Sequence, residues 1–278
     1  MDRFALSDAT SPRIYDDARL TAALVAAHRG GVAVEPPTEA LSLARGYAVQ
    51  ARVFAERHAP LAGYKLAATS PGGRTALGVD APLVGLVNAT EVIHGGAVPS
   101  TPRPLYAEAE LVLRIGIDLP PARDSGAPAL LGSLADAIDA VFAGIELCSS
   151  RFADDDVAAG ALVADNCLLH ALVLGDRLSD RWEARLAACP VRLWQGTASS
   201  AEGSTALAYG HPLKALAWLA AWLGEQGRGF RAGDLVATGS ATGITPVTQS
   251  APIAARFGDF GGVQAHIGFQ DKDEGEAK

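Results

Sequence analysis

Tyr106-Ala107-Glu108-Ala109-Glu110-Leu111-Val112-Leu113-Arg114-Ile115 places two carboxylates immediately ahead of an apolar run. The apolar part predicts a β-strand. In a strand, residues i and i+2 point to one face, so Glu108 and Glu110 would present their carboxylates together. Two negative charges held that close repel and raise each other's pKa unless a cation, a shared proton or solvent compensates. A third acid, Glu146, sits inside Phe142-Ala143-Gly144-Ile145-Glu146-Leu147-Cys148. Acids are rarely buried unpaired. If the three converge on a pocket, their oxygens suit a hard ion such as Mg²⁺. The ordinary alternative is a solvated strand face, because Glu-x-Glu alone is a weak motif.

The chain has 278 residues, 49% of them hydrophobic and 19% charged, enough for one large domain with a sizeable core. A net charge of -8 argues against nucleic acid and anionic membrane surfaces as partners. Cys148, Cys167 and Cys189 are odd in number and lack Cys-x-x-Cys spacing, which fits a reducing, cytoplasmic setting without disulfides or structural zinc. No signal peptide is evident at the N-terminus, and no apolar run is long enough to predict a transmembrane helix.

Residues 1–60 read as a helical N-terminal segment after a loose tail: one helix spans about 14–28, and a second starts at an N-cap on Thr38 and runs to about His58. Residues 61–270 form the second unit, and 271–278 a charged tail. Gly63–Ser70 reads as a strand carrying Lys65 in apolar company. Pro71-Gly72-Gly73-Arg74 reads as a flexible, lid-like turn, continued by a loop over 78–85. Strands dominate from about 105, interrupted by a helix near 133–142 capped by Ser133. Residues 163–167 lead into a buried strand over 168–174, and Val191–Trp194 is a strand followed by turns to about 204. Pro212 opens a helix that Gly227 stops. Trp218 and Trp222 on it read as core packing. Leu235–Val247 is a strand running into a Gly/Ser/Thr-rich loop, and Ile253–Phe257 and Val263–Phe269 close the sheet. That loop lacks the Gly-Lys-Ser/Thr ending of a nucleotide loop.

Several of these pieces occur together: Gly63-Tyr64-Lys65; Glu108-Ala109-Glu110; Ile145-Glu146 with Ser150-Arg151; Ala164-Asp165-Asn166; Gly210-His211-Pro212-Leu213 with Trp218-Leu219; and Ala232-Gly233-Asp234 with Thr238-Gly239-Ser240. In this order, over roughly 40–270, the chain resembles the 2-keto-4-pentenoate hydratase family of the fumarylacetoacetate hydrolase superfamily. The resemblance implies an α+β fold: a mixed, mostly antiparallel β roll of fumarylacetoacetate hydrolase C-terminal type behind an N-terminal helical segment. It implies Mg²⁺ or Mn²⁺ held by Glu108, Glu110 and Glu146, a 2-oxo or 2-hydroxydienoate acid substrate from aromatic meta-cleavage catabolism, and a homo-oligomer. It points to Lys65, Asp165 and Asn166 as catalytic residues, and to Thr238, Gly239, Ser240 and Leu83 as substrate-binding ones.

The chain departs from that pattern at Leu83, where many hydratases of the family carry an Asp after the lid proline; leucine cannot move a proton. The related 4-oxalocrotonate decarboxylases resemble this chain there. Hydratase is therefore the first expectation, decarboxylase the second and acylpyruvate C–C hydrolase the third; a non-catalytic binding member is last. A hydrolase would need a base for water, for which Glu91 and His94 are candidates, though both read more simply as solvated. His170 reads as a strand residue and His211 as a helix-start residue.

Overall fold

The computed structural model describes residues 16–267 apart from 100, 102, 123–127, 155 and 249. Its elements in chain order are α1 (Asp17–His28), α2 (Leu43–Glu56), β1 (Leu61–Ala67), α3 (Pro71–Leu77), β2 (Leu83–Asn88), β3 (Val92–His94), β4 (Gly96–Val98), β5 (Tyr106–Ile115), α4 (Pro128–Ala137), β6 (Ile138–Cys148), α5 (Ala159–Ala164), β7 (Leu169–Ser179), β8 (Pro190–Gln195), β9 (Ala198–Ser204), α6 (Pro212–Glu225), β10 (Leu235–Ser240), β11 (Thr245–Pro246), β12 (Ile253–Phe257) and β13 (Gly261–Ile267). One sheet runs β2-β1-β10-β5-β6-β7-β3, with β11 also on β5; a second runs β4-β13-β12-β8-β9. Pairing is mostly antiparallel, with β1–β10, β3–β7 and β4–β13 parallel. This is the α+β architecture expected.

Strand periodicity sorts the side chains. On β5, Ala107, Ala109, Leu111, Leu113 and Ile115 enter the main core, as do Val141, Ala143, Ile145 and Leu147 of β6. They meet Val191, Leu193, Ile253 and Val263 of the second sheet, with α6 closing the same core. The even positions, Glu108, Glu110, Glu146 and Cys148, therefore face the other side of the sheet. Glu108 and Glu146 are register partners, which brings acids 38 positions apart in the chain side by side. A separate apolar cluster joins α1 and α2 to α5 through Leu20, Leu24, Val49, Val53, Phe152 and Ala161.

Several local expectations are corrected. Ser42, not Thr38, caps α2, its Oγ accepting the Arg45 amide at 3.3 Å. The expected lid turn is helix α3: Ser70 caps it, Pro71 takes a first-turn position and Gly78 ends it in the left-handed conformation. Gly72 and Gly73 had suggested a break, but the capping signals prevail. The helix expected at 133–142 is α4, which stops at Ala137. Ile138 and Val141 belong to β6, where pairing with β5 outweighs their helical spacing. The turns expected before 204 are β9, paired to β8, and the loop expected over 78–85 ends in the first residues of β2, which starts at Leu83. Trp222 packs against Tyr47 with ring centroids 5.3 Å apart, as core packing requires. The tail and the opening residues lie outside the described residues.

Candidate active site

The three acids expected to converge lie on one face of β5 and β6. Glu110 and Glu146 are fully buried, while Glu108 is half-buried and lines a cavity. Lys65 of β1 reaches across the curled sheet to this face. Its Nζ lies 2.6 Å from Glu146 Oε1, with both side chains essentially inaccessible to water. Burial opposes the Lys65 charge, but Glu146 first, with Glu108 among the other groups, more than offsets it and raises its pKa. Burial raises Glu110 well above the usual carboxylate range, and the charges of Glu146 and Glu108 add to it. Burial and then Glu146 raise Glu108 in the same direction.

Two polar atoms in this cluster lack partners. Glu110 Oε2 accepts the Gly239 amide at 2.9 Å, but Glu110 Oε1 accepts nothing; Glu146 Oε2 is likewise orphaned among the described residues. A buried carboxylate oxygen without a donor is costly. Three acids against one ammonium, with two bare oxygens, form a donor set suited to a hard divalent cation.

Cys148 is a neighbour that the sequence reading passed over. Ligand atoms of Glu108, Glu146 and Cys148 lie within 4.8 Å of one another, a grouping that does not include Glu110. The Cys148 thiol donates to Glu146 Oε1 at 3.2 Å and lies 3.7 Å from Glu108 Oε2. Burial, followed by the charge of Glu146, pushes its pKa well up. A protonated thiol is a poor ligand for Mg²⁺, so Cys148 serves the acids as a donor. The i, i+2 spacing from Glu146 that revealed Glu110 beside Glu108 would have flagged it.

The β10 loop meets the acids from the other side. Gly239 has φ +108°, and a Cβ there would come within 2.3 Å of Thr69 Oγ1. Only glycine lets this backbone turn its amide onto Glu110. Ser240 lines the cavity beside Glu108, where its hydroxyl partly offsets the upward shift of that carboxyl. Thr238 is buried and donates to the Leu111 carbonyl at 3.1 Å, bracing the sheet without lining the cavity. Leu83 does not line it either; it packs with Ala159, Val163 and Cys167 behind the cavity wall.

Asp165 and Asn166, expected among the catalytic residues, also stand back from the cavity. Asp165 accepts Arg151 Nε at 2.6 Å and the Arg151 amide at 2.8 Å. The Asn166 side chain clamps Leu86 of β2, accepting from its amide and donating to its carbonyl, each at 2.8 Å. Between these anchors, Asn166, Cys167 and Leu168 take φ values of 54°, 51° and 68°. Three successive non-glycine residues in the left-handed region cost roughly 1–2 kcal/mol each. The surrounding bonds hold them there, and Cys167 and Leu168 form part of the cavity wall. Glu91 and His94 do not pair: Glu91 is buried on Arg57 at 2.6 Å, and His94 is exposed. His211 caps α6, its Nδ1 accepting the Leu213 amide.

The cavity over the acids measures about 430 Å³. Beyond Lys65, Glu108 and Ser240, its lining is mostly apolar, with Leu77, Leu162, Leu168, Leu207 and Ile244, and includes the hydroxyl residues Thr69 and Ser70. Among the described lining residues Lys65 is the one cation, and Glu146 already holds it.

Sheet, acids and cavity define a β roll with a buried acid cluster beside a cavity. The family model for the fumarylacetoacetate (FAA) hydrolase C-terminal region matches residues 76–273, and the chain belongs to that family. It is 34% identical over 209 residues to a 2-keto-4-pentenoate hydratase of Burkholderia vietnamiensis, covering 73% of this chain and 76% of that protein. It is 25% identical over 212 residues to a 4-oxalocrotonate decarboxylase of Pseudomonas putida, covering 76% of this chain and 79% of that one. The solved structure of a 4-oxalocrotonate decarboxylase from Pseudomonas putida G7, complexed with magnesium and adipate, superposes with a TM-score of 0.77 at 24% identity, over 92% of this chain and 99% of that one. No helix among the described residues is long and apolar enough to cross a membrane.

Proposed function

We propose that this chain is a divalent-metal-dependent hydratase that adds water to a 2-hydroxydienoate monocarboxylate of the 2-hydroxypenta-2,4-dienoate type. The metal reading rests on the two orphaned oxygens of Glu110 and Glu146 beside Glu108. Mg²⁺, or alternatively Mn²⁺, would be held by these three carboxylates. When bound, the ion supplies Lewis acidity at the carboxylate and C2 oxygens of a 2-oxo acid and offsets the charge of the cluster.

The chain's own residues supply the rest. Ser240 and the adjoining loop orient the substrate carboxylate. Lys65 carries the proton: its ammonium is within reach of the cavity yet screened from solvent, the placement a general acid needs. The balanced outcome puts the water oxygen on C4 and one proton on each of C5 and C3, one proton coming from the water and the other from the C2 enol O–H, which becomes the C2 carbonyl of a 4-hydroxy-2-oxo acid. Asp165, Arg151 and Asn166 are positioning residues that keep the turn at 166–168 against the substrate. The apolar wall excludes bulk water from the conjugated chain. A homo-oligomer, expected from the family resemblance, is read out by light scattering.

What favours hydratase over decarboxylase is the lining of the cavity beyond the acids, mostly apolar with the hydroxyls of Thr69 and Ser70. The second carboxylate of a 2-oxo-enedioate would enter it without a cation among the described lining residues. Burying such a charge unpaired costs several kcal/mol. Incubation with Mg²⁺ and 2-hydroxypenta-2,4-dienoate should give a product heavier by one water. The same protein with 2-oxohex-3-enedioate should release little CO₂. Decarboxylation of the diacid without hydration of the monoacid would overturn the reading.

A further inference from the structure

A second cavity, of about 240 Å³, lies apart from the acid cluster, lined by His28, Arg57, Arg103, Ser149, Arg151 and His170 among others. Its charges do not balance. Arg57 is matched by Glu91 at 2.6 Å and Arg151 by Asp165 at 2.6 Å. Arg103 has no carboxylate partner among the described residues; its guanidinium donates to the carbonyls of Gly31 at 2.7 Å and Ala27 at 3.5 Å. One positive charge is therefore in excess before either histidine is counted.

The lining also holds unused polar atoms. Ser149 is 1% exposed, and its Oγ has no partner. His28 has a side chain 5% exposed, and its Nε2 makes no hydrogen bond, the nearest carboxylate oxygen being Asp165 Oδ1 at 3.9 Å. His170 Nε2 is taken by the Pro99 carbonyl at 3.0 Å. Buried hydroxyls and ring nitrogens are ordinarily satisfied, so two orphans in one cationic cavity mark places for a ligand's oxygens. An acceptor-rich anion satisfies a hydroxyl, an imidazole N–H and a guanidinium together.

We infer that this cavity is a binding site for a small oxyanion, of the phosphate or carboxylate class, gripped by Arg103, Ser149 and His28. It is separate from the metal cluster. The two cavities share no lining residue but meet along the chain, where Ser149 and Leu169 follow Cys148 and Leu168 of the first cavity, and through Arg151, whose guanidinium reaches the Asp165 and Leu168 carbonyls at 2.9 and 3.5 Å. The chemistry is shared by inorganic phosphate and by small carboxylates, so both are tested.

The test titrates the intact protein with inorganic phosphate, and separately with acetate, against chloride of equal ionic strength, following thermal stability and heat of binding. Phosphate stabilises most proteins weakly by exclusion from the surface, so the expected signal is saturable. Ser149→Ala should weaken phosphate binding about tenfold or more, the worth of a hydrogen bond to a charged group. It should also leave the ligand-free protein equal or more stable, because an unsatisfied buried hydroxyl is removed. Arg103→Met should abolish saturation, whereas Glu110→Gln should leave it unchanged. Saturable acetate binding without phosphate binding would identify a carboxylate site. Non-saturating stabilisation in the wild type, equal phosphate affinity in Ser149→Ala, or loss of binding in Glu110→Gln would each overturn the assignment.

Discussion

Replacing Lys65 by methionine keeps an apolar stem and removes the ammonium that sits 2.6 Å from Glu146. Both side chains are at most 2% exposed, so solvent screening cannot replace the lost partner. Breaking a buried ion pair by removing one member costs about 3–5 kcal/mol, mostly as the penalty of an uncompensated charge. For a chain of this size that corresponds to a fall in Tm of roughly 5–9 °C. The fall should appear in EDTA and shrink to less than half in saturating Mg²⁺, because the ion and the ammonium neutralise the same acids. Mg²⁺ affinity should be unchanged or tighter, and turnover should drop by about a hundredfold or more. Thermal denaturation with and without Mg²⁺, calorimetric titration of the ion and a hydration assay measure the three quantities. Equal destabilisation in both conditions, or weaker Mg²⁺ binding in the variant, would show that Lys65 and the ion do not share the acids.

Two further outcomes follow from the same geometry. A Cβ on Gly85 would lie 2.8 Å from Lys65 Cγ and 3.1 Å from both Lys65 Cε and the Asn166 carbonyl oxygen. Gly85→Ala should therefore cost about 1–3 kcal/mol in chemical denaturation and lower kcat while sparing Mg²⁺ affinity. The imidazole of His28 is driven well below its usual pKa by burial first and then by Arg151, Arg57, Arg103 and His170. The folded chain thus binds that proton less readily than the unfolded one. The stability it contributes is full above about pH 6.5 and is lost as pH falls toward the folded pKa. Denaturation midpoints measured downward from pH 7.5 should decline more steeply in the wild type than in His28→Gln; parallel curves would refute this.

Period-two alternation on β5 made much of the site legible, because it fixes which face carries Glu108 and Glu110 without any tertiary knowledge. The same arithmetic on β6 would have placed Cys148 next to Glu146. What the sequence could not show is reach. Lys65 and Glu146 belong to strands that are not neighbours in the sheet, and only its curl brings them together. Asp165 and Asn166 were expected among the catalytic residues from the family resemblance alone. Their contacts with Arg151 and the Leu86 backbone join segments well separated in the chain, which no local pattern reveals. Local signals misled where two readings competed: Gly72-Gly73 hid the cap and stop of α3, and helical spacing at Ile138 and Val141 gave way to pairing with β5. Leu83 marked a departure from the family pattern, but its burial against Val163 and Cys167 is a packing fact that only coordinates supply.

The most direct measurement of the metal claim is calorimetric titration of Mg²⁺ into the EDTA-treated, dialysed protein and its Glu110→Gln and Glu146→Gln variants. Three carboxylates sharing one ion predict a single site per chain in the wild type and a loss of affinity of about a hundredfold or more in each variant. Wild-type affinity retained in either variant, or no Mg²⁺ binding by the wild type, would contradict it.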